Sequence, residues 1–161
     1  MNTASYQRIV CLTEETTETL YRLDRADRIV GISGFTVRPA RARREKPRVS
    51  AFTSAKIDRI LALEPDLVLG FSDMQADIAA ALIRAGVEVH VFNQRTIDGI
   101  LAMIRRLGPL VDAIEAAAAL ADELEQHVAR VRERSRHRPT RPRVYFQEWD
   151  EPQICGIHWV S

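Results

Sequence analysis

Cysteine is scarce in this 161-residue chain: Cys11 and Cys155 stand far apart and match no metal-ligand spacing. A cysteine-based metal site is therefore excluded, and Cys11, inside an apolar strand pattern, reads as a small buried hydrophobe. No sign of charge dominates. The 23 Lys+Arg against 22 Asp+Glu leave a net charge of +1, so no overall field steers the chain toward nucleic acid. No apolar run approaches the roughly 18 residues of a membrane span. The opening Met1-Asn2-Thr3-Ala4-Ser5 lacks the basic and apolar regions of a secretory signal, so the expectation is either no export or a signal removed.

Catalytic signatures are missing as well. No Gly-x-Gly-x-x-Gly or Walker loop follows the first strand, where Thr13-Glu14-Glu15-Thr16 would repel a phosphate. No Gly-x-Ser-x-Gly elbow is present. His90 falls mid-strand, His127 and His137 on a long helix and His158 near the end, none with a partner at ligand spacing. They read as solvated or structural histidines. Neither an enzyme, a metal nor a resident cofactor is expected.

What is present is an ordinary globular composition, 46% hydrophobic and 28% charged, with length for one sizeable core. The stretch 52–71 organises the rest. Ile57, Ile60 and Leu61 follow helical spacing, with Ser54 as N-cap candidate and Asp58 on the solvent side. Pro65 stops that helix, and Leu67-Val68-Leu69 reads as a buried strand of a parallel sheet. Before it, strands are expected at 8–13, 28–33 and 48–52, a helix at 15–23, and a Pro- and Arg-rich loop at 34–47. After it come a helix at 75–85 closed by Gly86, a near-edge strand at 87–92, and a helix capped by Thr96.

From about 110 to 136 the alanine-rich pattern predicts one uninterrupted helix of about 40 Å, ended by Pro139 and Pro142. Residues 143–147 begin a new strand, and the remainder to Ser161 reads as a second domain barely started. The fold class is thus α/β: a Rossmann-like three-layer sandwich with a parallel sheet, then a long helix and the start of a second lobe.

A parallel sheet places ligands at the carboxyl ends of its strands. Four of the five phenylalanines, Phe35, Phe52, Phe71 and Phe92, stand at such ends. Aromatics gathered on one edge suit the flat or greasy face of a large ligand. Glu14, Glu15 and Glu18 are candidate acid/base groups, although a first helical turn attracts carboxylates through the dipole alone. Arg38, Arg41, Arg43, Arg44, Lys46 and Arg48 crowd one loop and read as a solvated basic face rather than a polyanion site.

Arg8-Ile-Val-Cys-Leu-Thr, Glu18-Thr-Leu-Tyr, Val30-Gly-Ile-Ser and Asp58-Arg-Ile-Leu-Ala-Leu-Glu-Pro-Asp-Leu-Val-Leu together resemble the N-terminal lobe of the cobalamin- and siderophore-type substrate-binding proteins of ABC importers. The resemblance implies a ligand-binding lobe at 1–109, an interlobe helix at 110–138 and the beginning of an incomplete C-terminal lobe at 139–161. It matches Phe35, Phe52 and Phe71 to aromatics lining the corrin cleft, and Asp58 to an acidic residue that docks on the transporter's membrane subunits. Glu15 and Trp149 join the expected ligand-binding set. The implied ligand is cobalamin, a related corrinoid, a haem-like molecule or a ferric siderophore. The implied location is the periplasm or cell envelope, while the first residues leave a cytoplasmic place open. A cytosolic corrinoid-handling accessory or sensor is the alternative. Residues 143–146, cut off from partner strands, are expected to recruit a second copy into a dimer, or else the chain is expected to be disordered after about Pro139.

Overall fold

A computed structural model describes residues 5–145 and 147–155. In chain order the elements are β1 (Ile9–Cys11), α1 (Glu14–Arg22), β2 (Ile29–Ser33), α2 (Ala42–Glu45), β3 (Arg48–Ser50), α3 (Ile57–Leu61) and β4 (Leu67–Phe71). Then come α4 (Ala76–Arg84), β5 (Val89–Phe92), α5 (Ile97–Leu110), α6 (Ile114–Arg136), β6 (Gln147–Trp149) and β7 (Ile154–Cys155). The first five strands form one sheet in the order β3-β2-β1-β4-β5, parallel throughout. The chain winds outward from β1 to β3, then crosses to β4 on the other side. The strand order therefore reverses between β1 and β4, where an open α/β sheet leaves a crevice at its carboxyl edge.

Both faces of the sheet are covered, which is why β1 and β4 are apolar without alternation. Ile9, Cys11, Leu67 and Leu69 face a large cluster built with α1, α5 and the start of α6. Val10, Leu12 and Val68 face a smaller one closed by Ile60, Ile78 and Leu82. Burial pushes the Cys11 thiol up to about 12, so it stays neutral and packs as a small hydrophobe. Gly86 ends α4 at φ +83, a left-handed position that suits glycine at C′.

Two local expectations give way. Ser54 does not cap α3, because Lys56 N–H donates to Val49 O at 3.0 Å and delays the helix to Ile57. Ser54 instead closes a turn, its carbonyl accepting from Ala51 N–H at 2.8 Å. The uninterrupted helix expected from 110 to 136 is broken at 111–113, where Asp112 takes φ 51. Pro109 in the last turn of α5 and the buried side chains of Val111 and Ala113 anchor the break. Arg25 holds it from outside, donating to Val111 O at 2.9 Å and Asp112 O at 2.8 Å. Helix α6 then folds back on α5: Arg105 meets Asp122 and Glu125, and a Cβ on Gly108 would come within 2.6 Å of Ala117 Cβ. Its 23 residues span about 34 Å at 1.5 Å per residue, and from Ala129 onward they are exposed.

The late strand begins at Gln147, not at 143, and pairs antiparallel with β7. Residues 141–145 are exposed and irregular, and Phe146 lies outside the described residues.

Candidate functional site at the carboxyl edge of the sheet

The crevice side of the sheet is organised by Gln75, a residue that sequence reasoning treated only as the start of a helix. Its buried amide joins three chain segments. Nε2 donates to Phe52 O at 2.8 Å and to Leu12 O at 3.4 Å, while Oε1 accepts from Phe71 N–H at 2.9 Å. The ends of β1 and β4 and the loop after β3 are thereby held together at the point where strand order reverses. The available signal was a glutamine directly before an apolar helix and just past a strand, a place where a buried amide can reach backbone. Ser72 makes the turn possible by taking φ 58, and its Oγ accepts from Met74 N–H at 3.3 Å.

The expected aromatics divide by depth. Phe71 is 3% exposed, Phe52 is half-buried, and their rings lie 6.4 Å apart and tilted. Phe35 is 63% exposed and makes no ring contact among the described residues. Phe92 turns away into the main core against His90, at 4.3 Å between rings. Burial, then the charge of Arg106, lowers the His90 pKa, as fits a packed imidazole. Arg95, missed in the sequence, lays its guanidinium over the Phe71 ring at 5.0 Å and reaches Asp73 at 3.4 Å and Asn93 Oδ1 at 3.1 Å. Met74 adds a half-exposed apolar side chain beside them.

Glu15 sits on the first turn of α1, just after β1, and is partly buried. Gln94, after β5, donates from Nε2 to its Oε1 at 3.1 Å. Burial raises the Glu15 pKa, and the hydrogen bonds it accepts offset only part of that effect. The Gln94 Oε1 is enclosed and has no hydrogen-bond partner among the described residues. The flanking Glu14 and Glu18 share Arg38, whose Nε lies 3.3 Å from each. Arg41 of the same loop lies over Tyr21 at 5.0 Å, so the first half of the basic stretch is folded onto α1. Arg43, Arg44 and Arg48 are exposed.

Asp58 is exposed in the first turn of α3, two residues past Lys56, whose N–H meets Val49 O of β3, and Ile60 is buried on the same helix. The Trp149 side chain, Cys155 Sγ and His158 lie outside the described residues. Among the described residues no cluster of His, Cys, Asp or Glu could hold a metal, and no helix is long and apolar enough to cross a membrane.

The sequence profile of a family described as periplasmic binding protein matches residues 9–160. The chain belongs to the periplasmic binding protein family. Its relatives within that family include a cobalamin-binding protein of Halobacterium salinarum, 29% identical over 89% of this chain and 40% of the relative. A vitamin B12-binding protein of Yersinia pestis is 30% identical over 87% of this chain and 50% of the relative. The chain thus spans about half the length of the curated relatives it matches or less. The crystal structure of the periplasmic vitamin B12-binding protein of Vibrio cholerae superposes with a TM-score of 0.81 at 24% identity, over 92% of this chain and 58% of that one. The α/β architecture is therefore that of a periplasmic binding protein lobe. Proteins of this family are described as binders rather than enzymes, in keeping with an edge built of aromatics and paired charges.

Proposed function

We propose that this chain is the N-terminal lobe of the substrate-binding component of an ABC importer, with 1–109 as the ligand lobe, 110–138 the interlobe segment and 139–161 the start of a second lobe. The ligand is cobalamin or a related corrinoid, or a ferric chelate of similar size. The observation that supports this reading is the pair at the reversal of strand order, where the Phe52 and Phe71 rings lie 6.4 Å apart with their backbones held by Gln75. Phe35, exposed after β2, extends the apolar surface in this proposal. A flat macrocycle gains contact area on such a surface without a resident cofactor or catalytic group. Work at a membrane transporter places the protein in the periplasm or cell envelope, with Asp58 as the charge presented to the membrane subunits.

Titration of the protein with cyanocobalamin, haemin and a ferric siderophore panel tests the ligand half of this reading. Saturable one-to-one binding, weakened by Phe35→Ala and Phe52→Ala with folding retained, is the expected result. No binding by any of them, or binding indifferent to both changes, would overturn it. For docking, Asp58→Lys is expected to reduce association with the transporter in proteoliposomes while ligand affinity holds; unchanged association would return Asp58 to a helix-end charge. A dimer through residues 143–146 belongs to the same proposal, and a monomer by sedimentation at high concentration removes it.

A further inference from the structure

The rim of the proposed ligand edge carries an imbalance of charge that the aromatics do not explain. On it or beside it stand Glu14, Glu15 and Glu18 of α1 and Asp73 after β4, against Arg38 and Arg95, with Lys56 exposed farther along past the end of β3. Both guanidiniums are engaged: Arg38 is shared by Glu14 and Glu18, and Arg95 lies on Phe71 with Asp73 beside it. The next cation along the face, Arg41, lies over Tyr21, about 9 Å farther along α1 at 1.5 Å per residue, and close to Glu45. Glu15 is left as the rim carboxylate with no cationic partner among the described residues; its neighbour is an amide.

That amide is fixed in orientation. Turning Gln94 over would set its carbonyl against the carboxylate of Glu15, so an ionised Glu15 selects the pose in which Nε2 donates. The cost of this pose is visible on the other side, where Gln94 Oε1 is enclosed without a donor among the described residues. Gly99 packs beside the stem of Gln94, where a Cβ would come within 3.3 Å of Gln94 Cβ. The outcome is a corner in which the Glu15 carboxylate accepts from a neutral amide and is not neutralised by a cation among the described residues.

We infer, on the reading that this edge holds a ligand, that Glu15, oriented by Gln94, selects ligands by the charge of their rim: it accepts from N–H donors of a neutral or cationic ligand and rejects ligands whose rim carries carboxylates. The physical basis is an asymmetry. A carboxamide or ammonium on the ligand completes a charge-assisted hydrogen bond to Glu15. A ligand carboxylate meets a like charge within the screening length of about 8 Å at physiological salt, in a partly desolvated corner. A flat macrocycle alone would not discriminate, because the phenylalanines see only its face.

The test keeps the macrocycle constant and changes its rim. Haemin and its bis-amide, in which both propionates are converted to primary amides, are titrated against the chain, with dicyanocobinamide as a second amide-rimmed probe. The bis-amide is expected to bind about tenfold tighter than haemin, a ratio that Glu15→Gln narrows to near unity and Glu15→Lys inverts. Circular dichroism and melting confirm that the variants are folded. Equal or tighter binding of haemin, or a ratio untouched by Glu15→Gln, overturns the selection by Glu15 while leaving the edge as a binding site. Failure of all probes to bind removes both this inference and the ligand reading on which it rests.

Discussion

The two edges of the central sheet are built from similar residues and solve opposite problems. At the amino edge, charged side chains are spent on backbone. Asp66 accepts from Gln7 N–H at 2.7 Å and Arg8 N–H at 2.9 Å, and Arg8 donates to Glu64 O and Leu63 O. Arg25 and Arg28 likewise hold the carbonyls of Val111, Asp112 and Tyr6. At the carboxyl edge the arginines pair with carboxylates or lie on rings, Ser72 takes a positive φ, and the Gln94 carbonyl is left buried and unmatched. The first edge closes chain segments against solvent, while the second keeps unsatisfied groups and an exposed phenylalanine. Backbone strain does not separate the edges, since Asp24, Glu64 and Asp112 take positive φ at the amino edge. Unmatched buried polar atoms do: among the described residues those of Thr36, Ser50 and Gln94 all lie at or past the carboxyl ends of strands, and they are what a binding surface needs and a purely structural one would lose.

The largest expected effect qualifies that contrast from within. Phe71→Ala should cost about 3–5 kcal/mol, since the ring is buried at the level of the core. Phe35→Ala, at the same edge but largely exposed, should stay within about 0.5 kcal/mol. Denaturant midpoints at constant m measure both. Equal losses would mean that the edge has no inner course and outer rim, and the division by depth would fail.

Gln75→Ala comes next. It strips partners from Phe71 N–H and the carbonyls of Leu12 and Phe52, for an expected loss of about 2–3 kcal/mol. Asp66→Ala at the amino edge removes two backbone partners, but from an exposed carboxylate, so about 1.5 kcal/mol is expected. If Asp66→Ala proved the costlier, the amino edge would be the true keystone of the reversal point.

The same division explains what the sequence made legible. The alternation of strand and helix, the near-edge place of β5, the Thr96 cap and the end of α4 at Gly86 all derive from spacing and turn chemistry, and each stands in the structure. The break at 111–113 was hidden because Val111 and Ala113 continue an apolar pattern. What opens the helix is tertiary: Arg25 reaching across the fold for two carbonyls. Ser54 had the right residue type for a cap, yet a hydrogen bond to β3 moved the helix start. Within the site, strand ends placed the aromatics at one edge but gave no depth, so Phe35 and Phe71 looked alike. Gln75, Gln94 and Arg95 act through groups far away in sequence, which no local pattern carries.

The smallest effect is the most diagnostic of how the carboxyl edge is built. Burial raises the Glu15 pKa above its unfolded value of about 4.3, so the folded state binds a proton more readily than the unfolded chain. Glu15 therefore burdens the fold least below the unfolded pKa; stability falls as pH rises from there through the folded value and stays reduced above it. Glu15→Gln keeps an acceptor for Gln94 and carries no charge to desolvate. The variant should melt slightly higher than the parent at neutral pH, with the difference vanishing on acidification to about pH 4. A gain in stability coupled to a loss of rim selectivity would mark Glu15 as a group kept for binding against the interest of the fold. A variant that melts lower at neutral pH would mean that the hydrogen bond from Gln94 outweighs burial, and that this corner is as structural as the arginine clamps of the opposite edge.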